Sequence, residues 1–127
     1  MDFKDLMVGD LVYVVRGYDK HLTIEKIKGV IEDEDKPYPV TIFTGETVSL
    51  NDIEPIELTE DILVKNGFKK VNMTVDGDYR HYHLHGVCIS WEEQSDFWYG
   101  EGDIEFKYVH QLQHLLRLCG IEKEIEL

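Results

Sequence analysis

A chain of 127 residues, 43% hydrophobic and 31% charged, is the size of one ordinary domain and carries enough apolar material to bury a core without a staple. Its formal charge of −13, from 26 acidic and 13 basic side chains, counts against direct binding to nucleic acid or to an anionic membrane surface, both of which demand a basic footprint. The simplest meaning of that charge is solubility, with a basic protein partner or mimicry of nucleic-acid charge left open. Two cysteines, Cys88 and Cys119, are too few for a disulfide framework and lack metal-site spacing. The acidic start Met1-Asp2-Phe3-Lys4-Asp5 does not read as a signal peptide, and no stretch reaches the roughly 18 apolar residues of a membrane span. A cytoplasmic location with reduced thiols is the expectation.

In chain order, Val8-Gly9-Asp10 reads as a turn into a β-branched strand, Leu11 to Val15, which stops at Arg16-Gly17. Leu22, Ile24, Ile27 and Val30 predict a longer second strand with an irregularity near Glu25-Lys26, and 33–37 is a charged loop. Val40 and Ile42, then Val48 and Leu50, flank a hairpin turn at Thr44-Gly45-Glu46. Ile53-Glu54-Pro55-Ile56 reads as a fifth, edge strand, because Pro55 cannot donate to a ladder. These short strands predict a small, strongly bent barrel-like subdomain over 1–58.

Thr59 is a good N-cap, Glu60 and Asp61 suit the positive end of a helix dipole, Ile62, Leu63 and Val64 supply a buried side, and Asn66-Gly67 closes the helix. Antiparallel strands follow. Phe68 to Val75 precedes a hairpin signal at Asp76-Gly77. A long strand runs from Tyr79 to Trp91 with a bulge at Gly86, and then come Phe97-Trp98-Tyr99, a turn over 100–103, and Ile104 to Phe106. A final helix runs from Tyr108 to Cys119, closed by Gly120, and the alternating tail Ile121 to Leu127 reads as an added edge strand. The expected class is α+β: one domain, 1–127, with the barrel-like subdomain and the short helix followed by an antiparallel sheet packed by the C-terminal helix over 59–127.

The histidines are the most tempting chemical feature. His81, His83 and His85 alternate along the predicted long strand, and His110 and His114 are spaced i, i+4 on the last helix, so a zinc site can be imagined. Orientation argues against it. At about 100° per residue Tyr108, Leu112, Leu115 and Cys119 form the buried side of the helix, and His110, Gln113, His114 and Arg117 face water. The bulge at Gly86 turns the strand histidines outward as well, and no carboxylate or thiol completes a ligand set. Cys88 and Cys119 read as small core hydrophobes rather than nucleophiles, and Ser49, Ser90 and Ser95 lack partners for a triad. The acidic pairs are a solvated face, and Gly100-Glu101-Gly102 is no phosphate loop. In the cluster Trp91, Phe97, Trp98, Tyr99, three consecutive residues cannot all point inward, so an exposed aromatic is expected, with Trp98 and Tyr99 as candidates for an interface.

Three segments, "DLMVGDLVYV", "DIEPIELTEDILVKNGFKK" and "KYVHQLQHLLRLCGIEKEIEL", resemble a set of short uncharacterised proteins of Bacteroidetes and their prophages that end in a YVHQLQHxLRLCG-type motif. The resemblance implies a small, phage-related accessory protein. It marks Tyr108, His110, Leu112, Gln113 and Arg117 as signature positions without giving them an activity. The expected function is a non-enzymatic interaction module, binding a protein partner or itself through Trp98, Tyr99, His110, Gln113, His114 and Arg117, with no cofactor. One alternative is a metal-binding protein using His81, His83, His85, His110 and His114. Another is a small-ligand or hydrolytic site between the subdomains.

Overall fold

The computed structural model describes residues 6–31, 40–71, 79–92, 96–100 and 104–127, which form two antiparallel five-stranded sheets and two helices, the expected α+β class. The loop over 33–37, the Asp76-Gly77 turn and residues 101–103 lie outside them. The chain divides into two compact units, Met1–Ile56 and Glu57–Leu127.

The first unit carries β1 (Leu11–Arg16), β2 (His21–Val30), β3 (Val40–Ile42), β4 (Thr47–Val48) and β5 (Ile53–Glu54) in the order β4-β3-β2-β1-β5. Among the described residues its strands form one antiparallel sheet in which the two-residue edge strands β4 and β5 do not pair to close a barrel. The long β2 links the two halves of this sheet. Its first half pairs with β1 and its second with β3, and the register slips between Ile27 and Gly29, slightly later than Glu25-Lys26. Val12, Val14, Ile27, Val40, Ile42, Val48 and Ile53 fill the core. Leu50 leaves the strand pattern for a short 3-10 turn, Leu50–Asp52, started by the Ser49 hydroxyl accepting from the Asn51 amide. Asp10, fully buried, accepts from the Met7 amide at 2.8 Å and fixes the turn ahead of β1.

The second unit contains α1 (Glu60–Lys65), β6 (Lys69–Val71), β7 (Tyr79–Leu84), β8 (Val87–Glu92), β9 (Phe97–Tyr99), β10 (Glu105–Phe106) and α2 (Val109–Leu118), its strands forming a meander in the order β10-β9-β8-β7-β6. Thr59 caps α1 as expected, its hydroxyl accepting from the Ile62 amide. Gly67, at φ +89°, ends the helix, with Gly67 N–H bonded to Val64 O and Phe68 N–H to Leu63 O, the paired bonds of a Schellman motif. Leu63 is buried and Val64 is exposed, so the inward side of α1 is narrower than its apolar run.

Two expectations fail here for identifiable reasons. The long strand from Tyr79 to Trp91 is a hairpin: Leu84 pairs with Val87 across His85-Gly86, whose φ angles of +47° and +84° place both in the left-handed region. Such two-residue turns match the twist of the flanking strands, and His-Gly here takes the role usually signalled by Asn-Gly. The tail Ile121–Leu127 forms no strand. Ile125 is buried, and the buried Asn66 side chain brackets Glu126, accepting from its amide at 2.7 Å and donating to its carbonyl at 2.8 Å.

Candidate functional site

The meander brings together residues far apart in sequence. Arg80 on β7 lies opposite Trp91 on β8, Trp91 opposite Trp98 on β9, and Trp98 opposite Phe106 on β10. Tyr82, two residues from Arg80, shares this face and pairs with Ile89. Trp98 is 3% exposed; its ring centre is 5.0 Å from that of Trp91 and 5.6 Å, edge-on, from that of Tyr82. Its indole N–H donates to the Leu58 carbonyl at 3.2 Å, fixing the segment that leads into α1 against the sheet. Together with Glu57, Leu58, Thr59 and Glu60 these side chains enclose an open pocket of about 270 Å³.

The pocket has an aromatic wall and a charged rim. Glu60 lies 3.6 Å from Arg80 and 3.7 Å from Lys70. Glu57 lies 3.6 Å from Lys107, which also reaches Asp96 at 3.8 Å. The wall contains one anomaly. Tyr82 is completely buried, and its hydroxyl has no hydrogen-bond partner among the described residues. Burial first, and then the Glu60 carboxylate beside it, push its pKa up to about 12.

This gives a stability prediction. Between pH 10 and 12 the unfolded tyrosine has lost its proton while the folded one keeps it, so stability is full below pH 10 and falls as pH rises through the folded value. Tyr82→Phe is expected to abolish this alkaline loss. At neutral pH it should raise stability by roughly 1 kcal/mol, because it removes a buried hydroxyl that bonds to nothing. Urea unfolding of both proteins at neutral and alkaline pH measures the two effects. A neutral-pH loss above about 1 kcal/mol would mean that the hydroxyl is bonded after all.

The structure rearranges the residues singled out from sequence. Trp98 is in the core, and the exposed aromatic of the 97–99 run is Phe97, at 39%, with Lys107 Nζ 5.9 Å from its ring centre. Tyr99 is half-buried. His110 (2% exposed) and Gln113 are buried rather than solvent-facing, His114 is half-buried, and Arg117 is exposed as expected. Buried positions on α2 span well over half of its circumference, so the apolar stripe marked the centre of the buried arc and understated its width. His110 stacks on Tyr108 and meets the edge of His114. Cys88 and Cys119 are both exposed, not core residues: Cys88 is on the solvent side of β8, and Cys119 is at the end of α2.

His83 and His85 are exposed, and His85 belongs to the turn rather than the strand. His81 is half-buried and bonds Ser90 Oγ at 2.7 Å. Among the described residues no three His, Cys, Asp or Glu side chains gather as metal ligands, and no helix is long and apolar enough to cross a membrane. A smaller groove of about 190 Å³ lies between β10 and α2, lined by Ile104, Phe106, His114 and Leu118 among others. Sequence reasoning passed over Tyr82, Glu57, Glu60 and Arg80; the available signal was the pairing parity of Tyr82 and Arg80 with Ile89 and Trp91 once the His85-Gly86 turn is read as a turn. No family model, curated protein or solved structure matches this chain.

Proposed function

We propose that the chain acts by binding, without catalysis, and that its ligand enters the pocket bounded by Tyr82, Trp91 and Trp98. The pocket itself carries this reading: the half-buried Trp91 stands beside a rim of paired charges at Glu57, Glu60 and Arg80. The pocket, at about 270 Å³, is on the small side for a ligand site and suits an occupant the size of a single ring. Its ionisable groups favour binding over proton transfer: Glu57 and Glu60 face cations, and Tyr82 stays protonated as a hydrogen-bond donor. A protein partner would engage this site by presenting one small group to it. The phage-related, accessory setting and the cytoplasmic location belong to the same proposal. They are supported by the terminal signature and by two exposed cysteines, which suit a reducing compartment.

Both tryptophans of the chain line this pocket, so tryptophan emission reports on it directly. Screening small neutral, cationic and anionic probes is expected to give at least one saturable emission change that disappears in Trp91→Ala. The proposal fails if no probe gives a saturable change, or if every saturable response survives that substitution.

A further inference from the structure

We propose that the outer face of the sheet in the first unit is the contact surface of a homodimer, in which a second copy of this chain packs its own outer face against it. This contact involves the first unit alone and does not depend on the pocket of the second.

Residue parity defines the face. Val12, Val14, Ile27, Ile42 and Ile53 fill the core, so the positions that alternate with them along each strand point the other way. The pairing register sets Tyr13 opposite both Ile24 and Glu54, Val15 opposite Leu22, and Leu11 opposite Lys26. The Lys26 carbonyl accepts from the Phe43 amide, and Lys26 Nζ lies 5.4 Å from the centre of the Phe43 ring. Phe43, just beyond β3, therefore extends the same face.

These apolar side chains form one surface. Leu11, Tyr13 and Val15 are half-buried, while Leu22, Ile24 and Phe43 are 45%, 50% and 55% exposed. An antiparallel sheet with one face in water alternates apolar with polar residues, and a strand that is apolar at every position is one covered on both sides. Leu11-Val12-Tyr13-Val14-Val15 has the second pattern, yet its outer-face neighbours on β2 stand in water. Exposed apolar residues scattered singly need no explanation; a contiguous patch across adjacent strands marks an interaction surface.

Charge complementarity selects a second copy as the occupant. At its paired positions the face carries Glu54 at the β5 margin and Lys26 toward β3, so it is locally balanced on a chain of net charge −13. A basic partner drawn to that net charge finds no excess of acid here, whereas two copies can meet here without opposing like charges. The face is also self-complementary. A two-fold axis lying in the interface along the strands sets the β5 margin of one copy over the β3 margin of the other, and Glu54 then approaches the Lys26 side of its partner, twice over. Within one copy these residues stand two strand spacings apart, about 10 Å, so they pair only between copies. Two such apolar faces pack as a sandwich, with their side chains interdigitated. The sheet edges offer no rival contact, because β4 and β5 have two residues each.

The test is sedimentation velocity of the whole chain over about two decades of concentration. Physiological salt is used, where charges more than about 8 Å apart are largely screened. A monomer–dimer equilibrium is expected. Ile24→Asp places a charge at the centre of the contact and should weaken the dimer at least about tenfold. Val64→Asp, at a comparably exposed apolar residue of α1, should leave it unchanged. Glu54→Lys and Lys26→Glu should each weaken association about threefold or more, and the double variant should recover it, because the swap restores opposite charges across the two-fold. Thermal melts of each variant establish that it is folded. A chain that stays monomeric at every concentration overturns the proposal, and so does a dimer that survives Ile24→Asp. A monomer whose Leu22 and Ile24 methyl groups are shielded from a soluble paramagnetic probe also overturns it, and places another part of the same chain on the face. Absence of recovery in the folded double variant overturns the two-fold, face-to-face arrangement.

Discussion

Trp98→Ala is expected to destabilise the protein by about 3–5 kcal/mol, the range for deleting a large buried aromatic, against a total of about 5–15 kcal/mol for a typical domain. The side chain is 3% exposed and joins three features. It sits in the cross-strand row between Trp91 and Phe106, it receives the Tyr82 ring edge-on, and its N–H ties Leu58 to the sheet. Truncation removes the packing and strands the Leu58 carbonyl, and the void adjoins the existing pocket, whose open side limits how far the neighbours can collapse to fill it. Trp98→Phe separates the terms. It retains an aromatic ring and loses the hydrogen bond, so its expected cost is smaller, about 1–2 kcal/mol. Urea unfolding followed by circular dichroism measures both. A cost below about 1 kcal/mol for the alanine variant would show that this residue is no packing centre.

The elements legible in the sequence were those specified by local chemistry. Leu11 to Val15 is a continuous β-branched and apolar run, and β1 forms where it runs. Thr59 and Gly67 bracket α1 because a hydroxyl acceptor and a left-handed glycine meet needs that exist at helix ends whatever the rest of the fold does. Gly120, at φ +75°, closes α2 in the same way, with Gly120 N–H bonded to Arg117 O and Ile121 N–H to Leu116 O.

What stayed hidden depends on tertiary context. His85 at positive φ is uncommon for a residue with a Cβ, so His-Gly gave a weak turn signal and two strands read as one. That single misreading hid the wall of the pocket. Without the turn, Arg80 and Tyr82 have no visible relation to Trp91 and Ile89; with it, the pairing register places them side by side. The burial of His110 and Gln113 was hidden for another reason, since the width of a buried arc depends on how many elements cover the helix. Trp98 needed its Leu58 partner to be known, because a buried indole must bond its N–H to something and the sequence does not show what.

Asn66 is the clearest case of a residue read for one role and used for two. It stands at the C-terminal cap of α1, as the Asn-Gly signal implies, but its amide is also the clamp for the tail. The Nδ2 group donates to Ile62 O at 2.7 Å and to Glu126 O at 2.8 Å, and Oδ1 accepts from Glu126 N–H at 2.7 Å. Asn66→Ala is therefore expected to cost about 2–4 kcal/mol, from three lost hydrogen bonds of about 1 kcal/mol each and the desolvation of the Glu126 backbone groups left without them. Asn66→Asp should be comparably costly, because a carboxylate still accepts from Glu126 N–H but faces two carbonyl oxygens where donors are required. Lys65→Ala removes the exposed contact from Nζ to Leu127 O and should change stability by less than about 0.5 kcal/mol. Amide hydrogen exchange at Glu126 reads the same event locally, accelerating in both Asn66 variants and staying slow in Lys65→Ala. An Asn66→Ala protein with unchanged stability and a protected Glu126 amide would assign the anchoring of the tail to the burial of Ile125 alone.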